Sequence, residues 1–448
     1  MYQKSLFIFR RDLRVDDNTG LIEALNQSKD VIPCFIFDER QVGNVNSYKS
    51  NNAIQFMIES LQDLQKQLEK KGGVLHLFHG IAGAVVEKLI TEHNIDAVFA
   101  NWDYTPFSKM RDRAIHNICK KHNIACQFYH DALLHDPKTL LKSNQSAYTV
   151  FTPFYKNALK YPVAKTQKNS HKNYAKKLDA KEISFEKILP QNNSDIAVNG
   201  GRKEALKILK HIEDFKNYNA ERDFPALNKT THLSAHLKFG CVSVREVYEA
   251  VESNEALMRQ LYWRDFYTQI GLYFPHVFEH AFLEKYKNIK WSTSKEDFKR
   301  WCEGKTGFPI VDAGMRCLNK TGWMHNRVRM IVASFLTKDL HINWQWGEKY
   351  FAQKLVDYDP CVNNGSWQWA ASTGCDAQPY FRIFNPWLQQ KKFDPECEYI
   401  KAWVPELKDF SAREIHKWYE REDYGSYVQP MVDHKKSAEY AKKLLSLS

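Results

Sequence analysis

Paired cysteines are missing from this chain. The nine it has (Cys34, Cys119, Cys126, Cys241, Cys302, Cys317, Cys361, Cys375 and Cys397) are scattered, odd in number and free of any C-x-x-C, which argues against a disulfide framework. The opening MYQKSLFIFRRDLR has no long apolar signal segment. Nothing further on approaches the roughly 18-residue apolar run that a membrane helix needs. Reduced thiols, a cytoplasmic location and no membrane contact are the expectation. The 17 histidines show no H-E-x-x-H or comparable spacing, so no metal site is expected. No G-x-G-x-x-G and no internal repeat occur either.

What is present is an ordinary globular composition with a basic surplus. Hydrophobic residues make up 43% of the 448, and the formal charge is +11. Such a surplus suits a polyanionic partner without specifying nucleic acid. Residues 5–10 (SLFIFR), 31–37 (VIPCFIF), 74–78 (VLHLF) and 97–100 (AVFA) are apolar runs of strand length. Amphipathic helical stretches lie between them at 18–27, 50–71, 81–93 and 109–122. The alternation predicts a Rossmann-like α/β domain over 1–130 with a parallel sheet covered on both faces. Residues 131–200 read as an exposed connector, with Lys156, Lys160, Lys165, Lys168, Lys172, Lys176, Lys177 and Lys181 set among polar residues. From 201 to 448 helices dominate, at 201–216, 243–252, 255–273, 294–303 and 308–319. Ser294-x-x-Asp297 resembles a capping box, and Pro309 suits a first turn.

Eleven of the twelve tryptophans follow residue 260. Any one of them serves well as core filling; the density points further, to stacking on flat ligands. Gln260, Trp263, Arg264 and Tyr267 fall at i, i+3, i+4 and i+7, one helical face with the chemistry to stack a base and hydrogen-bond its edge. A polar interface between helices is the alternative. Asp357 and Asp359 precede a helix without a third carboxylate, a pattern for pairing with cations or a ligand rather than for a metal. Trp367 and Trp369 sit about 200° apart around that helix and so have different tasks.

The segments EGKTGFPIVDAGMRCLNKTGW, MHNRVRM, NNGSWQWAASTG and PYFRIFNP, with the opening FIFRRDLRVDDNTGL, resemble the photolyase/cryptochrome family over nearly the full length. The resemblance implies an all-α C-terminal domain holding FAD, active as FADH−, and a repair reaction on UV-damaged DNA by a monomer. It places the flavin cradle at Tyr218, Thr230, Thr231, His232, Leu233, Ser234, Arg329, Asp357 and Asp359, with Asn363 facing flavin N5. It implies an electron route Trp367, Trp344, Trp291. Lesion and DNA contacts fall on Gln260, Trp263, Trp369, Asn326, Arg327, Met330, Arg222 and Gln389. Gln260 stands where members that split cyclobutane dimers usually carry glutamate, whereas His325-Asn326 and Met330 depart from the histidines of members that repair (6-4) photoproducts. The resemblance therefore implies a cyclobutane-dimer photolyase, with (6-4) repair and a signalling cryptochrome as alternatives. Signalling members often carry long C-terminal extensions, whereas this chain ends soon after its last helix-like stretch, at 435–445. A second, antenna chromophore is expected near 101–112. Its identity stays open among deazaflavin, flavin, folate and none, since Thr105 and Ser108 stand near the position of the folate-binding glutamate.

Overall fold

The computed structural model describes residues 1–446 apart from 176, 177, 190 and 378. Lys176 and Lys177 of the basic connector lie outside the described residues. Five parallel strands, Tyr2–Phe9 (β1), Ser28–Phe37 (β2), His76–His79 (β3), Ala97–Asn101 (β4) and Ala125–Tyr129 (β5), form one sheet in the order β3-β2-β1-β4-β5. The run Ser5 to Phe9 of β1 is wholly buried, since helices cover both faces, and this is why it reads as continuous rather than alternating apolar sequence. Thr19–Gln27, Asn51–Glu69, Ala82–His93 and Pro106–Lys121 supply that cover. The expected parallel α/β domain is thus observed, with one strand more than the sequence suggested. β5 is a half-buried edge strand whose Gln127 amide bonds to Tyr2 and Gln27, and that polar centre dilutes its apolar signal.

The strand order reverses between β1 and β4, and a cleft opens at the carboxyl ends of the strands there, as open α/β sheets do at such a switch point.

Residues 131–200 are more than an exposed connector. Phe151–Ala158 is a helix that buries Phe151 and Phe154 completely, and Tyr174 pairs beside Val31 at the sheet edge. The described lysines of this stretch lie at the surface or partly covered, while Phe151, Phe154, Tyr155 and Tyr174 carry the packing. The polar composition hides this strap because its buried apolar residues, Leu133, Leu134, Leu140 and Val198 among them, are too widely spaced to write a periodic run.

Beyond residue 200 the structure is helical, as expected. The single helix expected over 201–216 is two pieces, Arg202–Lys210 and a short 3-10 turn at Ile212–Phe215. Ser294 caps its helix by accepting from the Asp297 N–H, and Pro309 opens the next long helix. The two halves are fastened by a buried cluster: Asp131 accepts from Arg14 at 2.6 Å and from Arg245 at 2.8 Å, and Arg245 also reaches Asp17 at 2.9 Å. All nine cysteines are unpaired. Among the described residues no helix is long and apolar enough to cross a membrane.

Candidate functional site

The helix Pro360–Ala371 organises the site. Asp359 caps it, accepting from the Cys361 and Val362 N–H groups at 3.0 and 3.1 Å, while its other oxygen pairs with Arg11. Burial favours the neutral acid there, but Arg11, Lys238 and Arg264 outweigh it and hold the carboxyl below its ordinary value. Asp357 pairs with Arg329 at 2.9 Å and accepts from the Ser234 hydroxyl at 2.7 Å. Asn363 follows one turn in. Its amide nitrogen donates to the backbone oxygen of Glu348 at 3.0 Å and to Glu348 Oε1 at 3.1 Å. Both amide protons are thereby committed, and the carbonyl oxygen is left for a ligand.

The turn before Leu233–Phe239 meets this cluster. His232 adopts a left-handed conformation (φ 54°) and stacks on Trp323 with ring centroids 4.1 Å apart. The Thr230 hydroxyl is buried without a hydrogen-bond partner, and the Thr231 hydroxyl accepts from the Leu233 N–H. Tyr218 is buried with the Arg222 guanidinium 5.1 Å from its ring centre. An unpartnered buried hydroxyl, a bound serine and a fixed arginine fit a phosphorylated ligand, and an outward amide oxygen fits the edge of a flavin ring. Of the expected cradle, His232, Ser234, Arg329 and Asp357 are brought together, while Asp359 is turned toward Arg11 and its own helix.

The three expected tryptophans run from inside to surface. Trp367 is 2% exposed and packs on Gly347, where a Cβ would lie 2.2 Å from its ring. Trp344 opens the same helix as Gly347 and is 3% exposed. Trp291 is half-buried and precedes Ser292, which bridges to Ile342 near the head of that helix. Trp301, which no sequence pattern singles out, is fully buried with its ring centre 6.1 Å from that of Trp367.

The face expected to meet a base divides. Trp263 lies flat on Phe151 of the strap (3.6 Å, 5°) and contacts Tyr267, which packs against Gly365. Gln260 donates to the Ala256 carbonyl at 3.0 Å within its own helix. The Arg264 guanidinium donates to the Ala132 carbonyl at 2.6 Å and to Asp265 at 3.1 Å, so two of its donors are already committed within the protein. Asn326 and Met330 do share a face, with amide nitrogen and sulfur 3.8 Å apart. Arg222 and Arg327 flank Asp223, at 3.9 and 2.7 Å. Arg327 also covers the Phe393 ring at 4.3 Å. Gln389 stands half-buried beyond it, and Trp369 is likewise half-buried on the far side of its helix from Trp367. Asp223 and Phe151 escaped the sequence reading because neither belongs to an aromatic-polar pattern.

The cleft at the sheet's switch point is lined by Arg11, Phe37, Tyr48, Asp103, Lys238 and Tyr358, among others. Arg11 links it to the first site by bonding both Asp103 and Asp359. Burial and the neighbouring Arg11 lower Lys238 to about 8. Thr105 and Ser108 are occupied by a helix cap that also bonds Asp103.

Residues 5–172 match the family model described as DNA photolyase, and residues 257–446 match the FAD binding domain of DNA photolyase. The chain is 37% identical to the deoxyribodipyrimidine photo-lyase of Alkalihalophilus pseudofirmus, covering 97% of this chain and 96% of that one. To the enzyme of the same name from Escherichia coli it is 36% identical, over 96% and 95%. Among solved structures it resembles an archaeal photolyase from Sulfolobus tokodaii with two FAD molecules, at TM-score 0.92 and 44% identity over 100% of both chains. A Synechocystis cryptochrome also superimposes, at TM-score 0.91 and 28% identity over 99% of both.

Proposed function

Because this chain belongs to the photolyase/cryptochrome family, we propose that it is a deoxyribodipyrimidine photo-lyase, a light-dependent lyase that repairs cyclobutane pyrimidine dimers in UV-damaged DNA. The observation that carries the reading is the Pro360–Ala371 helix. It sets a paired carboxylate, an amide oxygen free of protein partners and the Trp367 indole in successive turns, with Trp369 on the opposite side of the helix. Bound FAD in its reduced form supplies the photoexcited electron. The protein's own residues do the rest. Arg329, locked to Asp357, and the donors of Thr230, Thr231, His232, Leu233 and Ser234 hold the cofactor's polar groups, with Tyr218 closing the pocket. With FAD bound, Asn363 would offer its carbonyl oxygen, left free by the two bonds its nitrogen donates, to the edge of the flavin ring. Trp291, Trp344 and Trp367, graded from half-buried to buried, would carry an electron inward when an oxidised flavin is bound.

A flipped dimer sits between Trp263 and Trp369, with Met330 as a soft filler and Asn326 beside it. Phe151 and Tyr267 keep the Trp263 ring upright. Gln260 releases the Ala256 carbonyl to donate to the dimer. Arg222, Arg327 and Gln389 hold the phosphate backbone, with Asp223 pre-orienting both arginines. The domains are a 1–130 antenna domain, the 131–200 strap and a 201–448 catalytic domain, acting as a cytoplasmic monomer. The switch-point cleft, with aromatic walls and five basic residues in its lining, takes a second flavin as antenna, and the two FAD molecules of the similar archaeal photolyase support that choice. Two FAD released per denatured chain is the expected stoichiometry; one or none rejects the second flavin.

The decisive assay illuminates the reduced protein with separate cyclobutane-dimer and (6-4) oligonucleotides and measures restored pyrimidine. Restoration of the first is expected. Because Gln260 is shared with (6-4) enzymes, repair of the second alone would reverse the substrate assignment, and repair of neither would make this a photoreceptor.

A further inference from the structure

Arg11 stands in the loop that leaves β1 at the switch point, and its guanidinium is divided among three elements. Nε donates to the Lys238 carbonyl at 3.0 Å, near the end of the helix Leu233–Phe239 that begins at the cradle turn. Nη1 donates at 3.1 Å to Asp103, on the wall of the switch-point cleft. Nη2 pairs with Asp359, on the oxygen not spent in capping Pro360–Ala371. The backbone fixes the loop against the same helix end. The Leu13 N–H donates to the Phe239 carbonyl at 3.0 Å, and a Cβ on Gly240 would lie 2.1 Å from the Arg11 carbonyl oxygen. Asp103 is as firmly held, accepting from the Ser108 hydroxyl and the Tyr104 N–H, both at 2.8 Å. Burial favours the neutral acid at Asp103, but Arg11, Arg111 and Lys238 outweigh it and hold the carboxyl well below the usual range. Two ionised carboxylates from different halves of the molecule thus compete for one guanidinium.

We propose that Arg11 is the positioning residue that couples the two cofactor sites: a ligand seated in the cleft tightens the Arg11–Asp359 pair, and with it the head of the helix that carries Asn363 and Trp367. This rests on FAD at both sites, as proposed above. Two effects act in the same direction. Water displaced from the cleft lowers the local dielectric around both ion pairs and strengthens them. Arg11, Asp103 and Asp359 are already only 16%, 11% and 9% exposed, so little desolvation cost remains to set against that gain. A ligand donor that bonds Asp103 also takes up part of that carboxylate's charge and leaves the guanidinium to Asp359. Filling either site then favours filling the other, because coupling between binding sites is reciprocal.

The test loads the protein with isotope-labelled FAD to one per chain and follows its release into unlabelled FAD by mass spectrometry. Free FAD is set either below or above the concentration that gives two FAD per chain. Release from an uncoupled site has one rate at any concentration of free ligand. In the parent the rate should fall about tenfold once the second site fills, an ordinary size for coupling between sites, since affinity changes act mostly on dissociation. Arg11→Lys keeps the charge but cannot serve three partners at once, and Asp103→Asn weakens the link on the cleft side alone. Each should make the two rates equal. General destabilisation would quicken release at both concentrations and leave their ratio unchanged, so the ratio is the measure. A parent that binds two FAD and releases the labelled one at the same rate in both conditions overturns the proposal, as does a parental ratio retained in Asp103→Asn. Should Arg11→Lys fail to fold, Asp103→Asn decides. A parent that binds only one FAD refutes instead the second-flavin assignment, a distinct outcome.

Discussion

Trp367 has two burdens at once, packing and conduction, and they are separable by substitution. It is 2% exposed and fits onto Gly347, so a smaller ring leaves a gap. Trp367→Phe should cost less than the roughly 3–5 kcal/mol of a full truncation. It should abolish light-driven reduction of oxidised FAD while leaving repair by chemically reduced protein largely intact, measured by flavin absorption and by dimer splitting. Photoreduction at the parent's rate would redirect the route, with Trp301 as the next candidate because its ring also meets Trp367. Gln260 carries the complementary test on substrate. Gln260→Glu should raise the repair yield on cyclobutane dimers without weakening their binding, and a fall in both would show that the amide is tuned to this pocket. Single residues of this kind were legible in the sequence because indoles and amides at helical spacing are rare. Their supports were not. Arg11 meets Asp359 across 348 positions of chain, and no local pattern announces a partner that far away.

Elements were legible where burial writes a continuous apolar run or a helical stripe, and hidden where scattered side chains carry them. The central strands follow from continuous apolar runs and the long helices from apolar periodicity, whereas β5 and the Phe151–Ala158 strap are masked by polar neighbours. The π-helical turn Phe335–Asp339 is of the hidden kind. It buries Lys338 to 1% exposure, and the amine donates to the Ala371 carbonyl at 3.1 Å and the Ser372 hydroxyl at 2.8 Å, closing the end of the helix that carries Trp367. Burial lowers this lysine to about 7. An unfolded lysine keeps its proton up to about 10.4. Between these values the unfolded chain binds more protons than the folded one, so the contribution to stability rises with pH, by at most about 1.4 kcal/mol per unit, and is lost as pH falls through 7. Lys338→Met should flatten that rise. Denaturant titrations of both proteins at pH 7, 8 and 9 give the difference; parallel curves would mean that the amine stays charged when buried.

At the scale of the molecule, the two halves behave as one body because charges are buried between them. Asp131 is 2% exposed and joins the end of the sheet domain to Arg245 of the helical domain, with Arg14 on its other oxygen. The sequence shows these residues as ordinary surface charges, since a pairing made only by domain docking leaves no periodic trace. Burial favours the neutral acid, but Arg14 and Arg245, with hydrogen bonds from Arg245 and the Thr19 N–H, hold the carboxyl well below the usual carboxylate range. Its folded value being depressed, the stabilisation is complete above the unfolded value of about 3.9 and disappears as pH falls below it. Asp131→Asn leaves two buried guanidinium groups facing a neutral amide and should cost about 3–5 kcal/mol. The deficit should be full at pH 7 and shrink as pH falls below about 3.9, where the unfolded parent's carboxylate takes up a proton that the folded one refuses. Thermal or denaturant unfolding across that range measures it. The expected signature in the variant is a sheet domain that melts apart from the helical one, because the clamp and not the strap enforces their joint unfolding. A variant that unfolds in a single step with the parent's pH profile would assign the joining to the strap and its buried phenylalanines.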